Sequence, residues 1–354
     1  MPASHLQSEP VLAVTMGDAC GIGPEIIARL WLDSAMPQAL VVGSPQVMRR
    51  AAAWVAQARG GLAPVVVEIQ DAKKWADVPT GAMPVWAPPG LPHDLIDAPV
   101  GQVDVRAGRA AAACIRAAVR LAQTGVVAGI VTAPLHKEAL ALAGEPYPGH
   151  TELLQAEGAP PGQPPAPVRM MLANDQLKTV LVTIHMALRQ AIDAVTFEAV
   201  LETIRITHDS ARLWGIERPR IAVAGLNPHA GEGGLFGDEE IHIIGPAVQA
   251  AQALGINVSG PLAPDTVFMR ARHAPDHPGE FDVVIAMYHD QGLIPVKYMG
   301  LDHGVNVTLG LPFVRTSPDH GTAFDLAGTG CADPSSLLQA WRMARQLVNG
   351  QGAI

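Results

Sequence analysis

Residues 281–298 read FDVVIAMYHDQGLIPVKY. Val283 to Met287 form a short apolar run rich in β-branched residues, as in a strand buried on both faces. The run stops at His289 and Asp290, with Lys297 just beyond. Burial accounts for the apolar residues but not for a cluster of titratable groups at the strand's exit. In parallel α/β sheets, ligands gather outside the carboxyl ends of the strands. This one stretch therefore carries both a fold and a candidate site.

The pattern recurs along the chain. VLAVTMGD (11–18) leads into GIGPEIIARLW, LVVG (40–43) leads into SPQVMRRAAAWVAQA, and GVVAGIVTAPLHKEAL, KTVLVTIH and RIAVAGLNPH follow. VRAGRAAAACIRAAVRLAQTG (105–125) reads as a helix with one buried face that takes in Cys114, and PSSLLQAWRMARQLVNG closes the chain on a capped helix. Strands alternating with helices imply an α/β fold with a largely parallel sheet. APPGQPPAPV (159–168) fits neither helix nor central strand and reads as an exposed loop or hinge. No repeat of fixed period is apparent.

The 354 residues suit two domains or one large one. A net charge of −9 argues against a general nucleic-acid or membrane-surface binder, because both need a basic face. Cys20, Cys114 and Cys331 are too scattered for a disulfide framework or a paired-cysteine metal site, which points to a reducing cytoplasm. The start, MPASHLQSEP, lacks the order of a signal peptide, and no apolar run approaches the ~20 residues of a membrane span.

Three of the strand-like runs end in histidine: His185, His229 and His289. Neutral imidazoles bind zinc and similar ions, and three protein ligands leave positions open for substrate. Around His229, NPHAGEGGLFGDEE (227–240) has four glycines, and its acidic end suits the first turn of a helix. Asp265 stands among apolar residues in PLAPDTVF, as either a solvated turn aspartate or a site carboxylate. Lys297 and Arg315 are cations in apolar stretches, of the kind that hold phosphate or carboxylate; each alone reads equally well as a loop charge. GDACGIGPE (17–25) lacks the dinucleotide fingerprint, because Ile26 occupies the third glycine position. It reads as a strand–turn–helix joint with Pro24 and Glu25 in the first turn. These residues by themselves give a metal-dependent enzyme for a small anionic substrate.

The series GDACGIGPE, TAPLHKEAL, PGHTELL, VTIHMALR, GLNPHAGEGG, PDTVF, AMYHDQG and GVNVTLGLPFVRTSPDHGTAFDLAG resembles the 4-hydroxythreonine-4-phosphate dehydrogenase family, in order from about residue 11 to residue 335. HGTAFDLAGTGCADP also resembles the NAD-contacting loop of isocitrate and isopropylmalate dehydrogenases. The resemblance implies their two-domain α/β fold with the active site in the interdomain cleft. An NAD-side domain would comprise 1–138 and 308–354, and a metal, substrate and dimerisation domain 139–307. By position it makes His185, His229 and His289 ligands of one divalent metal ion, zinc first, with cobalt or magnesium as alternatives. His150, Thr151, Lys297, Asn306 and Arg315 match substrate contacts, and His320, Gly321, Asp325 and Gly328 fall on the NAD loop. The family's homodimer, with its site at the subunit interface, allows the three histidines to come from two chains.

VTMGD, VTIHMALRQAI, GGLFGDEE and PDTVF look closer to the branch that oxidises 4-phospho-D-threonate or 4-phospho-D-erythronate to dihydroxyacetone phosphate. The alternative is the 4-phosphohydroxy-L-threonine dehydrogenase of pyridoxal phosphate biosynthesis. The expected chemistry is oxidation of a C3 hydroxyl by NAD⁺ with loss of CO₂, with Asp265 or Asp290 as the base or Asp290 orienting a metal-bound histidine, and Lys297 anchoring the substrate. A metal-dependent lyase or aldolase without NAD is the rival from another class. Ala19 and Cys20 depart from the family's usual Pro-Ala or Pro-Ser at those positions, which puts the local turn in question, and the proline-rich loop is longer than usual.

Overall fold

The structure is a computed structural model that describes residues 10–160, 162–300 and 304–351. The chain forms two compact units, one built from residues through Ala166 together with Leu311–Val348, the other centred on Pro167–Gly310.

The first unit carries β1 (Leu12–Thr15), α1 (Gly23–Leu32), β2 (Ala39–Val42), α2 (Pro45–Arg59), β3 (Val66–Ile69), β4 (Met83–Trp86), α3 (Val105–Gln123), β5 (Gly129–Thr132), α4 (Lys137–Leu142) and α5 (His150–Gly158). The second carries β6 (Arg169–Ala173), β7 (Lys178–Leu181), α6 (Leu188–Ala194), α7 (Phe197–Ser210), β8 (Ile221–Ala224), α8 (Gly245–Ala253), β9 (Val258–Leu262), α9 (Val267–Ala271), β10 (Val283–Ala286), α10 (His289–Tyr298) and β11 (Val305–Leu309). The chain then returns to the first unit with β12 (Val314–Pro318) and α11 (Ser335–Gln351).

Strand order in the first unit is β3-β4-β2-β1-β5-β12, every pairing parallel. In the second it is β11-β6-β7-β10-β8-β9. There β7, β10, β8 and β9 run parallel, while β6 is antiparallel to both its neighbours. Residues of β1, β2, β5, β8 and β10 are buried throughout, which is why these strands read as continuous apolar runs rather than alternations.

The helices start and stop where local chemistry dictates. Ser44 Oγ accepts from the Val47 N–H and Pro45 fills the first turn of α2, which ends at the left-handed Gly60. Asp104 caps α3 by accepting from Arg106 N–H at 2.8 Å. Gly108 lets the backbone of α4 approach α3 closely at Ala139, and Cys114 lies fully buried in the first unit's core with Ile115, Val119, Leu153, Leu154 and Phe313. That packing of α5 places residues 139–166, expected with the second domain, in the first unit. The second unit has its own core of Leu172, Leu181, Val284, Ala286, Leu293 and Val296.

Pro161 lies outside the described residues; the rest of the proline-rich stretch is turn and irregular chain, largely exposed. Among the described residues no helix is long and apolar enough to cross a membrane.

Candidate active site

In the second unit β10 lies between β7 and β8, parallel to both, so their carboxyl ends emerge side by side. His185 follows β7, His229 follows β8, and His289 is the first residue of α10. Hydrogen bonds lace these exits together. Val182 N–H donates to Ala286 O at 2.9 Å, and Thr183 Oγ1 donates to Met287 O at 2.8 Å. Gln291 spans the other gap: its Oε1 accepts from Met287 N–H at 2.6 Å and its Nε2 donates to Gly225 O at 2.7 Å. The rings of His185 and His289 come within 5.5 Å of each other, tilted by 45°. His289 Nδ1 donates to Asp290 Oδ1 at 2.7 Å. A carboxylate only accepts, so this bond puts a proton on Nδ1 and leaves Nε2 as the acceptor nitrogen of the neutral ring.

His229 stands on unusual backbone. His229, Ala230, Gly231, Glu232 and Gly233 all have positive φ, a left-handed run in which each non-glycine residue costs roughly 1–2 kcal/mol. Glu240, 4 % exposed, holds the entry to this run. Its Oε1 accepts from Leu226 N–H at 2.7 Å and Asn227 N–H at 2.8 Å, and its Oε2 accepts from Asn227 Nδ2 at 2.9 Å. Strain of this kind persists only where the surroundings over-determine it, and it concentrates at functional loops. The His229 ring lies against Phe236, with centroids 6.3 Å apart. It does not complete a trio with the other two: among the described residues no three His, Cys, Asp or Glu side chains gather closely enough to hold a metal ion.

The other expected residues of this unit divide. Asp290 is joined to His289, whereas Asp265 lies in an exposed turn between β9 and α9. Lys297 is a half-buried residue of the last turn of α10, not a loop charge, and Asn306 is half-buried on β11.

In the first unit Arg315 is not on a loop either: it lies within β12, 2 % exposed, donating from Nη2 to Thr132 Oγ1 at 2.7 Å. Burial pulls its guanidinium down to about 10. His150 opens α5 with Thr151 behind it. Burial first, then the positive Arg315 and Lys137, hold His150 well below the usual imidazole range, so it is neutral. Its Nε2 is buried without a protein hydrogen-bond partner. Two cations around a neutral imidazole suit an anionic ligand.

The HGTAFDLAG segment is irregular chain and turn in the same unit. His320 Nδ1 lies 2.9 Å from Gly321 O, and His320, Gly321 and Asp325 are exposed. The Phe324 ring stacks on His136 at 4.8 Å, Ile22 N–H donates to Thr322 O at 3.0 Å, and Gly328 N–H donates to Glu25. The Ala19–Cys20 turn closes in spite of its unusual residues: Asp18 Oδ1 accepts from Cys20 N–H at 2.8 Å, and Cys20 O accepts from Gly101 N–H at 2.8 Å. Burial, reinforced by Asp18, pushes the Cys20 thiol up to about 12, which leaves it unreactive.

The second unit supplies part of a donor set suited to a divalent cation. Two imidazoles converge, and one is oriented by a carboxylate in the manner of metal-bound histidines. Sequence reading missed Gln291, Glu240 and Lys137. Gln291 and Lys137 lie inside AMYHDQG and TAPLHKEAL, and Glu240 reads in sequence only as a first-turn acid.

Residues 35–344 match the family model described as "Pyridoxal phosphate biosynthetic protein PdxA". A 4-hydroxythreonine-4-phosphate dehydrogenase of Beijerinckia indica is 55% identical over 95% of this chain and 94% of its own length. A D-threonate 4-phosphate dehydrogenase of Pectobacterium atrosepticum is 45% identical over 96% and 99% respectively. The crystal structure of a 4-hydroxythreonine-4-phosphate dehydrogenase from Klebsiella pneumoniae superposes with a TM-score of 0.83 at 42% identity, covering 96% of this chain and 98% of that one. The ordered motifs, the α/β architecture and these matches lead to one conclusion: the chain belongs to the PdxA family and is an oxidoreductase.

Proposed function

We propose that the chain oxidises the C3 hydroxyl of a phosphorylated four-carbon hydroxy acid with NAD⁺ and a divalent metal ion, and releases CO₂. The hydride leaves C3 for NAD⁺ and the hydroxyl proton goes to a base or solvent. In the resulting β-keto acid the bond from C1 to C2 breaks, and its electrons pass into an enol that is then protonated. The observation that carries this reading is the His185–His289 pair beside the Asp290 carboxylate, at the exits of adjacent parallel strands. When bound there, the metal would act as a Lewis acid that lowers the hydroxyl's pKa and stabilises the developing enolate.

The protein's own groups divide the remaining work. Asp290 orients His289 rather than serving as the base. His150, Thr151, Lys297, Asn306 and Arg315 are the proposed contacts to the substrate's phosphate and carboxylate. His320, Gly321, Asp325 and Gly328 lie on the proposed dinucleotide loop, which gives the first unit the NAD role.

4-Phospho-D-threonate or 4-phospho-D-erythronate is the proposed substrate, with dihydroxyacetone phosphate as product. A second reading, 4-phosphohydroxy-L-threonine, is favoured by the name of the 55% identical relative. The test is NADH formation with each compound on chelator-stripped protein, then after adding back Zn²⁺, Co²⁺ or Mg²⁺. Metal-dependent signal with one compound selects the substrate, and silence with all of them defeats the reading.

We also propose a homodimer. Exposed apolar side chains flank the candidate ligands: Met186 and Leu188 after His185, Leu235 and Phe236 after His229, and Ile294 and Tyr298 on α10. Clusters of this kind mark interaction surfaces, and a partner subunit would supply the third histidine. Light scattering of the eluted protein tests it: a monomer mass at micromolar concentration rules it out.

A further inference from the structure

GDACGIGPE lacks the dinucleotide fingerprint, yet the structure gives its last residue a specific task. Glu25, 1 % exposed in the first turn of α1, receives two backbone N–H groups from a segment some three hundred residues later. Its Oε1 accepts from Gly328 at 2.5 Å and its Oε2 from Gly330 at 2.6 Å. Burial raises its pKa, against the pull of these two amides and of the Arg50 guanidinium. Arg50 is itself fixed by donating to Ile96 O and Ala19 O. Gly330, at φ +68°, sits where any Cβ would overlap the Trp54 carbonyl.

Two amides converging on one anion form a nest, the device that glycine-rich loops use to bind phosphate. Here the anion is the protein's own carboxylate. We infer that Glu25 is the positioning residue of the dinucleotide loop, clamping residues 328–330 so that the preceding residues, 320–325, meet the cofactor. The amides of Gly328 and Gly330 are therefore not its pyrophosphate donors. This rests on the dehydrogenase reading above. The segment has no helix or strand of its own, so its shape depends on ties to its surroundings: Thr322 to Ile22, Phe324 to His136, and this carboxylate.

The test compares wild type with Glu25→Gln, which keeps the volume but sets an NH₂ against one of the two N–H groups. NAD⁺ affinity is measured by calorimetry, folding by thermal denaturation, and binding of the phosphorylated acid without NAD⁺ in parallel. The expected result is an NAD⁺ Kd about tenfold weaker or more, ~1.4 kcal/mol. KM for NAD⁺ should rise more than kcat falls, with affinity for the phosphorylated acid unchanged. Equal NAD⁺ affinity in a folded variant overturns the inference alone. A wild type that binds no NAD⁺ overturns the dehydrogenase reading and the inference with it. Should Glu25→Gln not fold, Glu25→Asp keeps the charge on a shorter arm and must show the same NAD⁺ defect. Failure of both to fold would assign the carboxylate to stability alone and overturn the positioning role.

Discussion

His289 Nδ1 lies 2.7 Å from Asp290 Oδ1 at the first turn of α10, so the imidazole's orientation is set by its immediate neighbour in the chain. Replacing Asp290 with Asn frees the ring to adopt either tautomer and removes the carboxylate that orients it. Divalent-metal affinity should fall ten- to a hundredfold or so, as read by chelator competition. Unchanged affinity would remove Asp290 from the site. His289→Ala should abolish metal-dependent turnover in a folded protein.

Glu240→Ala leaves the amides of Leu226 and Asn227 without their acceptor. Buried donors left unsatisfied cost about 1–3 kcal/mol in total stability, and the left-handed run at His229 loses its anchor. Chemical denaturation should show that loss, and proteolysis should become faster within 226–237. A variant as stable as wild type would mean that the run is held by other contacts.

Asp18 is fully buried, and one of its oxygens has no hydrogen-bond partner among the described residues. Burial raises its carboxyl from 3.8 to about 6, against the lowering pull of the Cys20 amide and of His136. The folded state therefore holds this proton more tightly than the unfolded chain does. Stability from this group is full below about pH 4, is lost as pH rises through about 6, and the difference is on the order of 3 kcal/mol. Denaturant midpoints at several pH values should show that slope in wild type and lose it in Asp18→Asn. A slope that survives in the variant assigns it to another group.

Gly108 lies inside α3, where alanine would ordinarily add about 1 kcal/mol of helix propensity. Here a Cβ would overlap the Ala139 carbonyl at the start of α4. Backbone cannot move aside as a flexible side chain can, so overpacking of roughly 1–3 kcal/mol or more wins. Gly108→Ala should lower the melting temperature, and a rise would show that α4 gives way.

The fold was legible because its parallel strands are buried on both faces, and Val283 to Met287 or Leu12 to Thr15 carry that in composition alone. The histidines were legible because they stand at strand exits. Glu25 and Glu240 were not, since an acid in the first turn of a helix looks the same whether it faces water or receives amides from a distant loop. Arg315 reads in sequence as readily as a loop charge as a ligand contact, because nothing in LPFVRTSP shows that the strand around it is fully buried. The left-handed winding at His229 was half visible: its glycines announced backbone freedom, but His229, Ala230 and Glu232 share the conformation without being glycine.

The interrupted order of the first unit has a consequence during synthesis. The ribosome delivers β1 through β5, then all of residues 167–310 in one run, and only afterwards β12. The second unit can complete itself while the first still waits with one side of β5 unpaired. A bare strand edge is a template for wrong partners, so the nascent chain is most exposed to mispairing in that interval. Truncation just before Leu311 should accordingly leave a well-folded second unit attached to an aggregation-prone first.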